Sequence, residues 1–281
     1  MSHAIIIPIY CENRNTINLC NELQNFGAEH IVVVNDGLNP ESEYFNELTS
    51  IGCHLVHLKN NNGKGASLKA GIKYAHDNLY NITGYITCDA DGQHTANDVM
   101  KISRMLDLRN GSLILGKRDY KKSKMPINIR IGNRLSSAYF KVITGKSCRD
   151  TQTGLRGIPA FLYDTVMKTK GSRFDFEMNF LTKCADMRVP FYFVNIIADC
   201  SNCSSNFRLI KDTYLIYRTP LRFATASIGC TIIDLVLFTI FAYILPSHMF
   251  FNIMLATLMA RVVSGGINFL INRKVIFGNT D

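Results

Sequence analysis

Charge is scarce in this 281-residue chain: 19% of residues are charged, and almost none of them lie between residues 223 and 271. There is no internal repeat and no low-complexity linker, which excludes a solenoid or a string of tethered modules. No GxxxxGK[ST] loop is present, so the chain is not a P-loop nucleotidase. No run of Lys and Arg interleaved with aromatics marks a nucleic-acid module, so nucleic acid is not an expected partner despite a formal net charge of +9. No signal peptide precedes the strand-like segment 4–10, and the nine cysteines are odd in number and scattered, so they are expected to be reduced, cytosolic thiols. Cys200 and Cys203 form a lone CxxC with no second pair and no suitably spaced histidines, and zinc is not expected there.

The residues that are present describe a folded protein, 47% hydrophobic and long enough for one large domain or two unequal ones. Short Ile- and Val-rich runs at 4–9, 31–34, 54–58, 85–88 and 113–115 alternate with helical patterns such as 15–25. That rhythm predicts an α/β fold, a mostly parallel sheet with helices on both faces. Ligands collect at the carboxyl ends of the strands in such sheets. Those ends carry Pro8, Tyr10 and Glu12, then Asn35, Asp36 and Gly37, then Asp89, Ala90 and Asp91.

After Tyr217 the chain becomes apolar. The composition divides it into a catalytic domain, 1–217, and a membrane domain, 218–281, with transmembrane helices at about 223–245 and 250–271. Each span holds one charged residue, Asp234 in the first and Arg261 in the second; such groups are costly in hydrocarbon and are expected to pair or to face another subunit. The connection 246–249 has no Lys or Arg, whereas Arg208, Lys211, Arg218 and Arg222 precede the hairpin and Arg273 and Lys274 follow it. The positive-inside rule then puts both termini and the catalytic domain in the cytosol, on a multi-pass protein of the cell (inner, cytoplasmic) membrane. The basic balance suits an anionic membrane surface or a phosphorylated substrate.

Two motifs carry chemistry. Cys88-Asp89-Ala90-Asp91-Gly92-Gln93-His94 follows an apolar strand directly. Two carboxylates two residues apart, with a glycine turn and the Gln93 oxygen, suit a hard divalent cation, Mg²⁺ or Mn²⁺, that leaves room for substrate phosphates. His94 reads first as a solvated turn residue, with completing the metal's shell as the alternative. The second motif is Asn62-Gly63-Lys64-Gly65-Ala66, followed by Lys69, where glycines opening a helix let backbone N–H groups and Lys64 approach phosphate oxygens.

In combination, IIIPIYCEN, VVVNDG, NNGKGASLKAG, CDADGQH, DTQTGLR (150–156) and RFDFEM (173–178) resemble, in order, the family 2 glycosyltransferases of the polyprenyl-phosphate sugar synthase type. Dolichyl-phosphate mannose synthase and the bactoprenol glucosyltransferases are the members that residues 4–210 look most like. The tail from Arg222 to Phe277 is similar to the first half of a small four-helix membrane domain associated with flipping lipid-linked sugars; stopping at Asp281, it implies an anchoring or homo-oligomerising role instead.

The resemblance implies a GT-A (Rossmann-like) fold and inverting transfer of a sugar from a nucleotide-sugar donor to a membrane polyprenyl phosphate. It implies that Pro8, Tyr10, Glu12 and Asp36 line the base and ribose pocket with help from Lys64, and that Asp89, Ala90, Asp91 and Gln93 meet the metal and diphosphate. Asn35 stands where the family often has Asp.

A phosphate acceptor is already anionic near neutral pH and needs positioning more than a strong base. Arg118, Arg130 and Arg134 are expected to clamp it, with Arg156, Arg173 and Arg208 as further candidates, because a guanidinium offers a bidentate fork. Asp150 and Glu177 are expected to orient sugar or acceptor, or else to form ion pairs with Arg156 or Arg173. Residues 117–128 read as a mobile basic loop that closes over the donor. In the helix that begins near Ile127, Ile131, Leu135, Tyr139 and Val142 recur at about one turn and read first as a core face, with a bilayer surface as the alternative. Competing readings are transfer to a glycan or lipid hydroxyl, with Glu177 or Asp150 as base, and a vestigial membrane partner. A nucleotidyltransferase lacks support, because its Gly-rich opening loop is missing after the first strand.

Overall fold

In the computed structural model, which describes residues 2–118, 127–173, 175–197, 209–245 and 250–271, the chain forms two compact units, 1–208 and 209–281. The boundary falls at 208/209, ahead of the expected 217/218. The apolar helix begins at Leu209, well upstream of the span expected from 223. Hydropathy marks where the chain becomes apolar, whereas the helix itself continues through the polar residues before it.

The first unit runs β1 (Ser2–Ile9), α1 (Arg14–Asn25), β2 (His30–Asp36), α2 (Glu43–Ser50), β3 (His54–Leu58), α3 (Lys64–Asn78), β4 (Ile82–Thr87), α4 (Ala96–Leu108), β5 (Leu113–Arg118), α5 (Ile127–Thr144) and β6 (Arg156–Pro159). A 3₁₀ turn at Ala160–Leu162 leads to α6 (Tyr163–Met167), α7 (Asp175–Asp186) and β7 (Phe191–Ile196). The seven strands form one sheet in the order β3-β2-β1-β4-β6-β5-β7. Only β6 runs antiparallel, against both β4 and β5.

Strict alternation explains the two core layers. Ile5, Ile7 and Ile9 of β1 point to one face, against Ile17 and Leu23 of α1, Phe45 of α2 and Ile102 of α4. Ala4 and Ile6 point to the other, with Leu68 and Ile72 of α3 and Phe176 and Phe180 of α7. Strands buried on both faces read as continuous apolar runs, which is why β1 and β2 were legible in the sequence. Asn13, Ser42 and Thr95 cap α1, α2 and α4 through backbone N–H groups of Asn15, Tyr44 and Asp98. The chain leaves β1 for β2 on one side and reaches β4 on the other. The switch point therefore lies between the carboxyl ends of β1 and β4.

Two expectations are corrected. Lys117 and Arg118 are the last residues of β5, not loop, and residues 127–128 open α5; positions 119–126 lie outside the described residues. On α5, Ile131, Leu135 and Val142 are 53, 60 and 83% exposed, so these three do not form the expected core face. Phe140 and Ser136 make that contact instead, because the inward stripe of the helix is rotated from the more apolar one.

The second unit contains α8 (Leu209–Ile244) and α9 (Phe250–Ile271), which pack on each other. Ser227–Ile244 and Phe251–Leu270 are each long and apolar enough to cross a membrane.

Candidate active site

The carboxyl ends of β1, β2, β4 and β5 and the start of β6 share one edge of the sheet. Asp36 ends β2 and is buried, its two oxygens accepting from the backbone N–H groups of Asn62 at 2.8 Å and Gly63 at 2.9 Å. The carboxylate thus pins the turn before α3. Gly63 sits at φ +93° with Ser172 and Arg173 within 2.8 Å of any added Cβ, so only glycine fits. Asn35 does not occupy the polar edge: it closes on the Leu38 backbone and contacts His57 at 3.0 Å, which accounts for an amide at this position.

Helix α3 starts without a side-chain cap and without an acid in its first turn, and its first residue is Lys64. The Lys64 ammonium bridges Asp89 Oδ1 at 2.6 Å and Glu177 Oε1 at 3.0 Å. Burial alone would lower its pKa, but the two carboxylates outweigh that and raise it. Asp89 answers in kind: burial pushes its carboxyl up, and the Lys64 charge with His94 nearby pulls it well below the usual range.

After β4 the chain turns at Gly92, and Thr16 Oγ1 donates to Ala90 O, tying the start of α1 to this turn. The Gln93 amide lies 2.9 Å from Asp89 Oδ2 and 3.0 Å from Asp91 Oδ2. Burial, followed by the Asp89 charge, holds the Asp91 carboxyl above its ordinary value. Gln93 donates through its amide nitrogen to both carboxylates, which leaves Asp89 and Asp91 as the two acids whose oxygens suit a hard divalent cation. Among the described residues no group of three or more His, Cys, Asp or Glu is gathered as a metal site, and the acidic turn brings two carboxylates. His94, expected in solvent, is buried, with Nε2 3.7 Å from Asp89 Oδ2.

The start of β6 comes equally close. A Cβ on Gly154 would lie 2.0 Å from Asp89 Oδ2, and Thr87 Oγ1 holds the Gly154 carbonyl at 2.8 Å. Neither Gly154 nor the Thr16 contact was singled out from sequence.

The two remaining carboxylates are engaged. Asp150, fully buried, takes a bidentate fork from Arg118, Nε to Oδ2 and NH2 to Oδ1, both at 2.7 Å. The pairing with Arg156 or Arg173 expected for Asp150 is thus replaced by Arg118, which the end of β5 brings to the segment between α5 and β6. Arg156 donates to the carbonyls of Thr151, Thr153 and Glu177 and lies 3.9 Å from Glu177 Oε1.

Arg130 and Arg134 are exposed on α5. With Asn133, Ser137 and Arg149 they line a cavity of about 280 Å³. Arg149 also lines a second cavity, about 480 Å³, with Lys117, Ser147, Phe193 and Asn195. Sequence reasoning missed Arg149, although it stands directly before Asp150. Pro8, next to last in β1, is half-buried, Tyr10 just beyond the strand is 37% exposed, and Glu12 is exposed. Burial, then the Cys11 and Asp91 charges, raises the Tyr10 phenol. Arg208 lies outside the described residues.

An acidic turn at the switch point of an α/β sheet is faced here by a part-buried lysine at a helix start, the place where such sheets collect their ligands. The chain belongs to glycosyl transferase family 2, whose model matches residues 4–164, and it is a glycosyltransferase. A protein of Methanocaldococcus jannaschii described as uncharacterized is 32% identical over 188 residues, covering 63% of this chain and 73% of that one. The UDP-N-acetylglucosamine–dolichyl-phosphate N-acetylglucosaminyltransferase of Methanococcus voltae is 30% identical over 172 residues, 54% of this chain and 67% of that one. Glucosyl-3-phosphoglycerate synthase from Mycobacterium tuberculosis, crystallised with Mn²⁺, UDP-glucose and glycerol 3-phosphate, aligns at TM-score 0.56 and 11% identity over 79% of this chain and 78% of that one. The fold is GT-A.

Proposed function

We propose that the protein transfers a sugar, with inversion, from a nucleotide-sugar donor of the UDP-glucose or GDP-mannose type to a polyprenyl phosphate in the membrane. One observation carries the choice of acceptor: the two carboxylates that would serve as general base for a hydroxyl, Asp150 and Glu177, are already paired with Arg118 and Lys64. A phosphate acceptor needs no such base. The name of the Methanococcus voltae relative gives UDP-N-acetylglucosamine and dolichyl phosphate as its substrates, which supports the same class of acceptor and adds a donor to test.

In this reading Pro8, Tyr10, Glu12 and Asp36 border the base and ribose, Asp36 acting through the turn it pins. Asp89 and Asp91, with Gln93 once its amide oxygen is turned inward, would hold Mg²⁺ or Mn²⁺, whose charge would offset that of a diphosphate leaving group. Lys64 meets the same charge from α3. Arg130, Arg134 and Arg149 receive the acceptor phosphate, with Arg208 as a further candidate. Arg118 positions the end of β5 through Asp150. The α8–α9 hairpin anchors the chain in the membrane with its catalytic unit in the cytosol.

The test is transfer of label from UDP- and GDP-sugars, UDP-N-acetylglucosamine included, into undecaprenyl phosphate by the purified full-length chain with Mn²⁺. One donor labels the lipid, the product is acid-labile, and Asp91→Ala reduces the rate at least about a hundredfold. Donor hydrolysis without lipid labelling would move the hydroxyl reading ahead. No binding or turnover of any donor would leave a vestigial partner.

The exposed apolar face of α5, flanked by Arg130, Arg134 and Lys141, suits the surface of an anionic bilayer. Leu135→Glu is therefore expected to raise the KM for undecaprenyl phosphate in liposomes several-fold and to leave the KM for a short, water-soluble prenyl phosphate unchanged. Equal effects on both acceptors would place Leu135 in the site rather than on the membrane.

A further inference from the structure

Arg261 is the feature of the second unit that the transferase reading leaves unexplained. It stands near the middle of the 22-residue α9, roughly 15 Å from either end at 1.5 Å per residue. Asp234 lies about as far from the carboxyl end of α8. Among the described side chains of the hairpin these two are the charged ones. They form one intrachain contact, Arg261 Nε to Asp234 Oδ2 at 3.6 Å, while buried Ser264 donates to Asp234 Oδ1 at 2.7 Å.

The contact leaves the arginine poorly covered, since its side chain is 73% exposed against 24% for Asp234. A guanidinium has five N–H donors, and in hydrocarbon each must find an acceptor. Lipid phosphates lie too far away for a side chain at this depth to reach by snorkelling. Thr257, Arg261 and Gly265 are spaced at successive turns on one exposed face of α9, and a Cβ at Gly265 or Gly266 would meet nothing within 4 Å. That face permits another helix to approach closely.

A second hairpin of the same sequence is complementary to this one. It brings another Asp234, whose carboxylate has lone pairs to spare, and another Arg261 in need of them. We propose that the α8–α9 hairpin pairs within the bilayer with that of a second copy of this chain, so that two Arg261 and two Asp234 side chains close a neutral ring of four charges. Two-fold symmetry satisfies both arginines at once, because each contact occurs twice.

This pairing rests on the membrane-anchoring part of the proposed function. The test uses full-length protein with an N-terminal fluorescent tag, reconstituted in liposomes at low density and counted by single-molecule photobleaching. Wild-type particles bleach in two steps. Arg261→Leu and Asp234→Asn each shift the population to single steps, weakening dimerisation roughly tenfold or more because two pairs are lost per dimer. Leucine favours insertion, and resistance to alkaline carbonate together with retained donor binding shows that the variant is inserted and folded. Arg261→Asp and Asp234→Arg chains, tagged in two colours and reconstituted together, colocalise as mixed pairs, which a contact confined to one chain would not produce. Single-step wild-type particles, or two-step Arg261→Leu particles, overturn the pairing while the anchor stands. Release of the wild type by carbonate overturns the anchor and the pairing together.

Discussion

Replacing Lys64 with methionine is expected to lower turnover by about 10²–10³, the loss usual when one preorganised charge facing the developing negative charge is removed. The same change removes the ammonium between Asp89 and Glu177, which then face each other as partly buried, unpaired acids. Breaking such a pair from one side costs about 3–5 kcal/mol, so the melting temperature falls as well. In the proposed reading a divalent cation would share one of these carboxylates, Asp89, with Lys64. The melting temperature of Lys64→Met is therefore expected to rise with Mn²⁺ more than that of the wild type. Lys64→Arg, which keeps the charge but not the reach, is expected to retain more stability than activity. Thermal melts with and without Mn²⁺, set beside initial rates, check both claims. Full turnover in Lys64→Met would remove the residue from the chemistry, and a cation-insensitive melt would remove the shared role.

Gly154→Ala is the other large effect. Its methyl group would lie 2.0–2.5 Å from all three heavy atoms of the Asp89 carboxylate group, with the backbone held from the far side by Thr87. Either Asp89 leaves its position or β6 shifts, and overpacking of this kind costs about 1–3 kcal/mol. Because Asp89 is the displaced group, activity is expected to fall at least about a hundredfold, more than the stability loss alone would produce. Gly111→Ala, where a Cβ meets nothing within 4 Å, serves as the control and should leave both quantities unchanged. Assays at a temperature well below both melting points separate misplacement from unfolding. A Gly154→Ala enzyme with wild-type rates would show that Asp89 need not sit where it does.

The parts of this protein legible in its sequence are those whose cause is local. β1, β2 and β4 announce themselves because strands buried on both faces must be continuously apolar, and the Asp-rich turn because it follows one of them directly. The apolar parts of α8 and α9, Ser227–Ile244 and Phe251–Leu270, are legible for the same reason, since each is apolar throughout its length. β6, four residues long and antiparallel, left no such signal, since its burial comes from neighbours distant in the chain.

The pairings at the site belong to the tertiary structure alone. The sequence offered Arg118, Asp150, Lys64, Glu177 and Asp89 as candidates, but not that Arg118 would be taken up by Asp150 or that Lys64 would join two carboxylates from different elements. Likewise the turn apparent at α5 did not reveal which stripe faces outward, because that depends on how the helix is rotated against α7 and the sheet. Residue types and their local order specify which groups are available and which segments must be buried. Which charges neutralise one another, and which are left to meet substrate or a second chain, is settled only when strands and helices far apart in sequence bring them within a few ångströms.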